Sequence, residues 1–129
     1  MNRIALGRRA VDALTTHREL VKMEQLVAPE WTDLDLVFPD IQGQPINGKN
    51  LLRAQFRPHL VKAGLPLIRF HDLRHTAATL LLGRGVNPKV VSEMLGHSTI
   101  AITLDIYSHV MPHMQQEAAG IMDDVLGSK

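Results

Sequence analysis

Seven consecutive residues restrict this chain more than any others. Thr76-Ala77-Ala78-Thr79-Leu80-Leu81-Leu82 is small and apolar on every side. A helix without a polar face has to lie against other elements rather than on a surface. The segment therefore predicts a central helix with others packed round it. Its limits are marked as well. His71 or Asp72 can start it, and Gly83-Arg84-Gly85 stops it, because glycine tolerates the left-handed position just past a helix end.

The rest of the chain supplies the packing partners. Arg8 to about Val27 reads as a helix, with Val11, Leu14, Val21 and Leu26 along a helical stripe and Ala28-Pro29 closing it. Asn47 can cap a helix from about Gly48 to Ala63, ended by Gly64 and Pro66. On that helix Arg53 and Arg57, four apart, share one face, while Phe56 and Leu60 lie on another. Asn87-Pro88 is a cap followed by proline at the first helical position. Val90, Val91, Met94 and Leu95 then form an apolar face, and Gly96 ends the helix. Ser98 is the expected cap of a helix from about Thr99 to Ser108. A last helix, about Met111 to Leu126, carries Met114, Ala118, Ile121, Met122 and Val125. Strand candidates are few. Residues 1–6 read as a short strand, and Leu36-Val37-Phe38-Pro39 is a brief apolar run before a turn at Gln42-Gly43-Gln44-Pro45. The expected fold is mainly α, a multi-helix domain with a small remnant of β-sheet near the N-terminus.

Length and composition exclude several classes. The 129 residues fit one domain. There is no cysteine, which removes disulfides, thiolate chemistry and cysteine-based zinc sites. No apolar run approaches the ~20 residues of a membrane span. Met1 to Leu6 lacks the apolar core of a signal peptide. The expectation is a soluble cytoplasmic domain. Net charge is only +1, but its distribution is uneven. Lys49, Arg53, Arg57, Lys62, Arg69 and Arg74 face the single acid Asp72, whereas the stretch from Glu19 to Asp40 holds six acids and only Lys22. Lys49, Arg53, Arg57 and Arg69 are therefore candidate DNA-phosphate contacts. A solvated helix face would look the same.

The chemistry-bearing residues fall between His71 and Tyr107. His71 and Arg74 are three apart at a helix start and point the same way. Exposed helix N-termini favour anions, and a planar guanidinium can hold two phosphate oxygens at once. His97 follows the Gly96 break, where a side chain can turn into a cleft. Tyr107, the only tyrosine in the chain, offers an oxygen nucleophile. Each part alone is unremarkable: a helix start, a helix stop and a tyrosine that could belong to a core.

The joint pattern is specific. His71-Asp72-Leu73-Arg74-His75-Thr76, then Leu95-Gly96-His97, then Thr103-Leu104-Asp105-Ile106-Tyr107-Ser108-His109 resemble in order and spacing the C-terminal boxes of the tyrosine recombinases, the phage-type integrases. Arg8-Arg9 with its helix, Leu36 to Pro39 and Gly43-Gln44-Pro45-Ile46 resemble the stretches before those boxes, so nearly the whole chain is covered. The resemblance implies that Tyr107 attacks a DNA phosphate and forms a 3′-phosphotyrosyl link. It implies that Arg74 stabilises the transition-state charge, and that His97 donates a hydrogen bond to the same phosphate. His71 would accept the tyrosine proton or bond a phosphate oxygen. It implies double-stranded DNA as partner, no cofactor, no metal, and self-association as a tetramer on DNA. The family's earlier arginine box, Leu-Arg-x-x-Glu, and its hairpin lysine have no convincing counterpart. His17-Arg18-Glu19-Leu20 is too close to His71, and neither Lys22 nor Lys49 lies in a hairpin. The expectation is a truncated catalytic domain over residues 1–129, lacking also the core-binding domain, with little activity alone.

Three other readings remain open from residues alone. Val90 to Ile106 resembles a helix-turn-helix, which would bind DNA without cutting it. His71/His75 and His109/His113 have the i,i+4 spacing of zinc ligands, but Asp72 replaces the glutamate of His-Glu-x-x-His and no third ligand is evident. The apolar face of the last helix allows an interaction protein, with packing in cis or against a neighbouring protomer.

Overall fold

The computed structural model describes residues 3–127, which fall into two compact units parted after Phe70.

In the first unit α1 spans Arg8–Val27 and ends where expected, since Pro29 disfavours helical backbone at Ala28. Its predicted stripe is only partly used. Leu14 and Val21 are half-buried together with His17, three and four positions from them, whereas Leu26 is 85% exposed. The His17 ring ties α1 to the following segment. Its Nε2–H donates to the Val37 carbonyl at 2.7 Å, and the ring lies 4.8 Å from that of Phe38. A cleft of about 400 Å³ remains between α1 and this segment, walled by Arg18, Trp31 and Leu34 among others.

The turn expected at Gln42-Gly43-Gln44-Pro45 forms over 41–44. The Asp40 carboxylate accepts from the backbone N–H groups of Gln42 and Gln44, both at 2.8 Å. Gly43 is required twice over. Its φ is +81°, and a Cβ there would strike the Thr32 carbonyl and the Trp31 ring. The expected small sheet has no counterpart among the described residues. Residues 3–7 have no regular secondary structure, and the sole ladder element among the described residues is an isolated bridge between Pro39 and Pro45. Met1 and Asn2 lie outside the described residues.

Asn47 caps the next helix as predicted, accepting from the backbone N–H groups of Lys49 and Asn50. This helix is not uniform. It runs as α2, Gly48–Leu51, a π-helical segment, Leu52–Phe56, and α3, Arg57–Lys62. Pro58 explains the change. It has no N–H to donate, and its ring would crowd the Ala54 carbonyl in a tight α-turn. The chain widens, so that the Arg57 N–H reaches back five residues to Leu52. The His59 ring then donates Nδ1–H to the Gln55 carbonyl at 2.6 Å. Leu60 is buried, and Phe56 meets Phe70 edge-on at 5.2 Å.

The second unit holds the principal core. Helices α4, Asp72–Gly83, α5, Pro88–Leu95, and α6, Ile100–Val110, pack against one another. Ala78, Leu82, Val91 and Ile106 meet at the centre, with Leu81, Val86, Leu95, Tyr107 and Val110 around them. The helix predicted to be central is α4, and Ala78 and Leu82 are fully buried on it. It is not enclosed on every side, for Leu80 is 64% exposed.

Two boundaries differ from expectation. Thr99, not Ser98, is the N-cap of α6, and it makes no side-chain cap bond. The last helix, α7, is Met114–Gly127 and starts later than predicted. Pro112 keeps Met111 out of helical backbone, at φ −123° and ψ 65°, so α6 and α7 are separated by a turn. No residue of α7 is buried. Among the described residues no helix is long and apolar enough to cross a membrane.

Candidate active site

Four predicted site residues, His71, Arg74, His97 and Tyr107, lie in the second unit, and each is placed by a local rule. His71 is the N-cap of α4, and its carbonyl accepts from the N–H of Arg74 at 3.1 Å. Asp72 in the first turn suits the positive end of the helix dipole. Arg74 follows one turn in and is half-buried. Its guanidinium has no carboxylate or other hydrogen-bond partner among the described residues. No buried side-chain nitrogen lacks a partner, so this guanidinium must reach solvent. A half-buried cation left without an acid is a site for an anion from outside.

His97 is aimed by the end of α5. Gly96 adopts φ +63°, and the His97 N–H closes back onto the Ser92 carbonyl at 3.0 Å. This is a Schellman closure, and it turns the chain sharply toward α6. The same closure ends α4, from Val86 N–H to Leu81 carbonyl at 3.1 Å. The half-buried His97 ring places Nδ1 2.6 Å from the hydroxyl oxygen of Thr103 on α6.

The His97 pKa lies below its ordinary value of 6.5. Burial is the largest cause, followed by the positive charge of Arg74 and then that of His71. His97, Arg74 and His71 thus share one electrostatic neighbourhood, drawn from the start of α4 and the turn after α5. At neutral pH the imidazole is neutral and carries a single N–H.

Tyr107 is half-buried near the end of α6, where its ring packs on the Ala78, Leu82, Val91 and Ile106 cluster. A ring held by core contacts carries its hydroxyl at a fixed place. The cleft beside α1 includes none of the four residues.

Lys49, Arg53, Arg57 and Arg69 are exposed, all in the first unit. His75 is exposed, and the His109 ring donates Nδ1–H to its own helix at the Asp105 carbonyl, 2.8 Å away. Among the described residues no three or more His, Asp or Glu side chains gather closely enough to hold a metal ion. Thr103 was not among the predicted site residues. The available signal was a hydroxyl four positions before Tyr107, on the core face of α6.

The same helical unit thus sets the Arg74 guanidinium and a neutral His97 imidazole in one neighbourhood and holds the Tyr107 phenol on its core. Comparison with known proteins gives the family. The phage integrase family model matches residues 3–114, and the chain belongs to that family. The match includes all four residues and stops where α7 begins.

Individual relatives agree. The chain is 40% identical over 119 residues to a tyrosine recombinase XerC-like protein of Caldanaerobacter subterraneus, covering 89% of this chain and 30% of that one. It is 36% identical over 121 residues to an integrase of Saccharopolyspora erythraea, covering 88% and 27%. It is 32% identical over 108 residues to the tyrosine recombinase XerD of Staphylococcus aureus, covering 83% and 35%. The chain thus spans about a third or less of the length of these relatives. The family assignment does not favour a non-catalytic helix-turn-helix module.

Proposed function

We propose that this chain carries the nucleophile-bearing, C-terminal share of the catalytic domain of a site-specific tyrosine recombinase, acting on double-stranded DNA in the cytoplasm. The observation that carries the proposal is Arg74, a half-buried guanidinium without an acid, electrostatically coupled to a neutral His97.

The chemistry follows from these groups. The Tyr107 oxygen attacks the scissile phosphorus, a 3′-phosphotyrosyl bond forms, and the bond to the 5′ oxygen breaks. The departing strand leaves as a 5′-hydroxyl. Arg74 holds the two non-bridging oxygens and offsets the charge of the pentacoordinate transition state. His97 donates a hydrogen bond to one of those oxygens. His71 accepts the tyrosine proton or bonds the phosphate. Attack by the 5′-hydroxyl of a second duplex reverses the sequence and joins the exchanged strands. The phosphodiester energy is kept in the tyrosyl link, so neither nucleotide nor metal is needed. Lys49, Arg53, Arg57 and Arg69 neutralise DNA phosphates.

Full activity requires the arginine box and the hairpin lysine, which these 129 residues do not show. Losing one transition-state donor costs about 10²–10³ in rate. The exposed apolar face of α7 docks on a neighbouring protomer in a DNA-bound tetramer.

Covalent capture on a nicked DNA substrate tests this. The 129 residues alone should capture little, and efficient capture would overturn the truncated-domain reading. In a chain extended to include both missing motifs, Tyr107→Phe should abolish capture and leave DNA binding intact. Arg74→Lys should reduce it strongly, because an ammonium cannot hold two oxygens in one plane. Capture retained by Tyr107→Phe would remove Tyr107 from its role.

A further inference from the structure

The hydroxyl of Thr103 stands 2.6 Å from Nδ1 of His97, and Thr103 is fully buried. Either atom can in principle supply the proton between them. The surroundings decide which does. Two other helical threonines turn their hydroxyl back to the carbonyl four residues earlier, Thr15 to Val11 at 2.8 Å and Thr79 to His75 at 3.0 Å. Thr103 makes no such bond. Among the described residues its hydroxyl has no acceptor other than His97.

A buried O–H without an acceptor is unfavourable. The Thr103 proton therefore points at Nδ1, and Nδ1 must offer a lone pair. A neutral imidazole that accepts at Nδ1 carries its hydrogen at Nε2. We infer that Thr103 is a positioning residue, which fixes His97 in the Nε2–H tautomer and so makes it a hydrogen-bond donor toward an anion. With the opposite tautomer Nε2 would turn a lone pair on a phosphate oxygen and repel it. Protonation of His97 would put a second hydrogen between Nδ1 and a hydroxyl that has nowhere else to donate. Thr103 lies one turn before Tyr107 on α6, so the element that carries the nucleophile also sets the donor.

The tautomer is a property of the free chain. The catalytic consequence rests on the recombinase reading, and two measurements separate the two. Imidazole nitrogen shifts of the 129-residue chain, with the His97 signal assigned through His97→Gln, report the tautomer directly. The expected result is an Nε2–H imidazole at neutral pH in the unaltered chain and in Thr103→Ser. Thr103→Val, which keeps the shape and removes the hydroxyl, should give a mixture or the Nδ1–H form. An Nδ1–H imidazole in the unaltered chain would overturn the inference, and that result does not depend on whether the valine variant folds. So would an unchanged tautomer in a folded Thr103→Val.

Covalent capture in the extended chain is the second measurement. Thr103→Val should fall by about 100-fold, toward the lower end of what a positioned proton donor contributes, with serine restoring most of it. Equal capture by the valine variant would overturn the catalytic consequence. Absence of capture in every form, including the unaltered one, would instead count against the recombinase reading and leave the tautomer standing.

Discussion

The backbone N–H of His97 donates to the Ser92 carbonyl at 3.0 Å, across a Gly96 in left-handed backbone. That bond sets the direction in which the imidazole leaves α5. It links a rule of helix termination to the geometry of the candidate site.

Gly96→Ala should therefore act through backbone strain and not through a clash. A Cβ at this position meets nothing within 4 Å, so no clash is added. Left-handed backbone costs an L-residue about 1–2 kcal/mol. Urea unfolding should show a loss of that size. Capture by the extended chain should fall further than the stability loss explains, because His97 is displaced.

Leu82→Ala should be much more damaging. Leu82 is fully buried at the meeting of α4, α5 and α6. Such truncations cost about 2–5 kcal/mol through lost burial and the cavity left behind. Leu80→Ala, outside the core cluster and 64% exposed, should change stability little. Thermal unfolding of the two variants compares them directly, and similar losses would contradict the described core.

His97 gives the stability a pH dependence of known sign. Its folded pKa is below the unfolded 6.5, so the unfolded chain binds more protons between the two values. The associated stability is fully present above about 6.5 and is lost as pH falls through 6.5 toward the folded pKa. The urea midpoint of the unaltered chain should fall more steeply over this window than that of His97→Gln. Parallel curves would show that His97 does not titrate as described.

The α7 helix should govern association rather than folding. Ile121, Met122, Val125 and Leu126 are all more than half exposed and fall on one helical face, yet no residue of α7 is buried. Ile121→Glu with Val125→Glu should shift sedimentation toward the monomer at high concentration. The unfolding midpoint of the α4–α6 core should be unchanged. A destabilised core would mean that α7 packs in cis.

Much of this was legible in the sequence, and the particulars show why. The limits of α1, α4 and α5 follow from Pro29, from His71 and Gly85, and from Asn87, Pro88 and Gly96, because caps and breakers act within a turn of themselves. The late start of α7 and the π segment before Pro58 were missed, although both are proline effects. In each case the helical pattern of neighbouring residues hid a backbone group that could not be satisfied. The expected strand at residues 1–6 rested on local composition, whereas a strand exists only where another pairs with it.

By itself the sequence determined the helices, the order of His71, Arg74, His97 and Tyr107, and the family, since spacing and side-chain chemistry are written along the chain. Only the tertiary structure decided that Arg74 has no acid partner among the described residues and that the buried hydroxyl of Thr103 meets Nδ1 of His97. Helical periodicity assigns a residue to a face of its own helix. Which groups from two helices meet depends on how those faces pack, and that is set by the whole Ala78, Leu82, Val91 and Ile106 core.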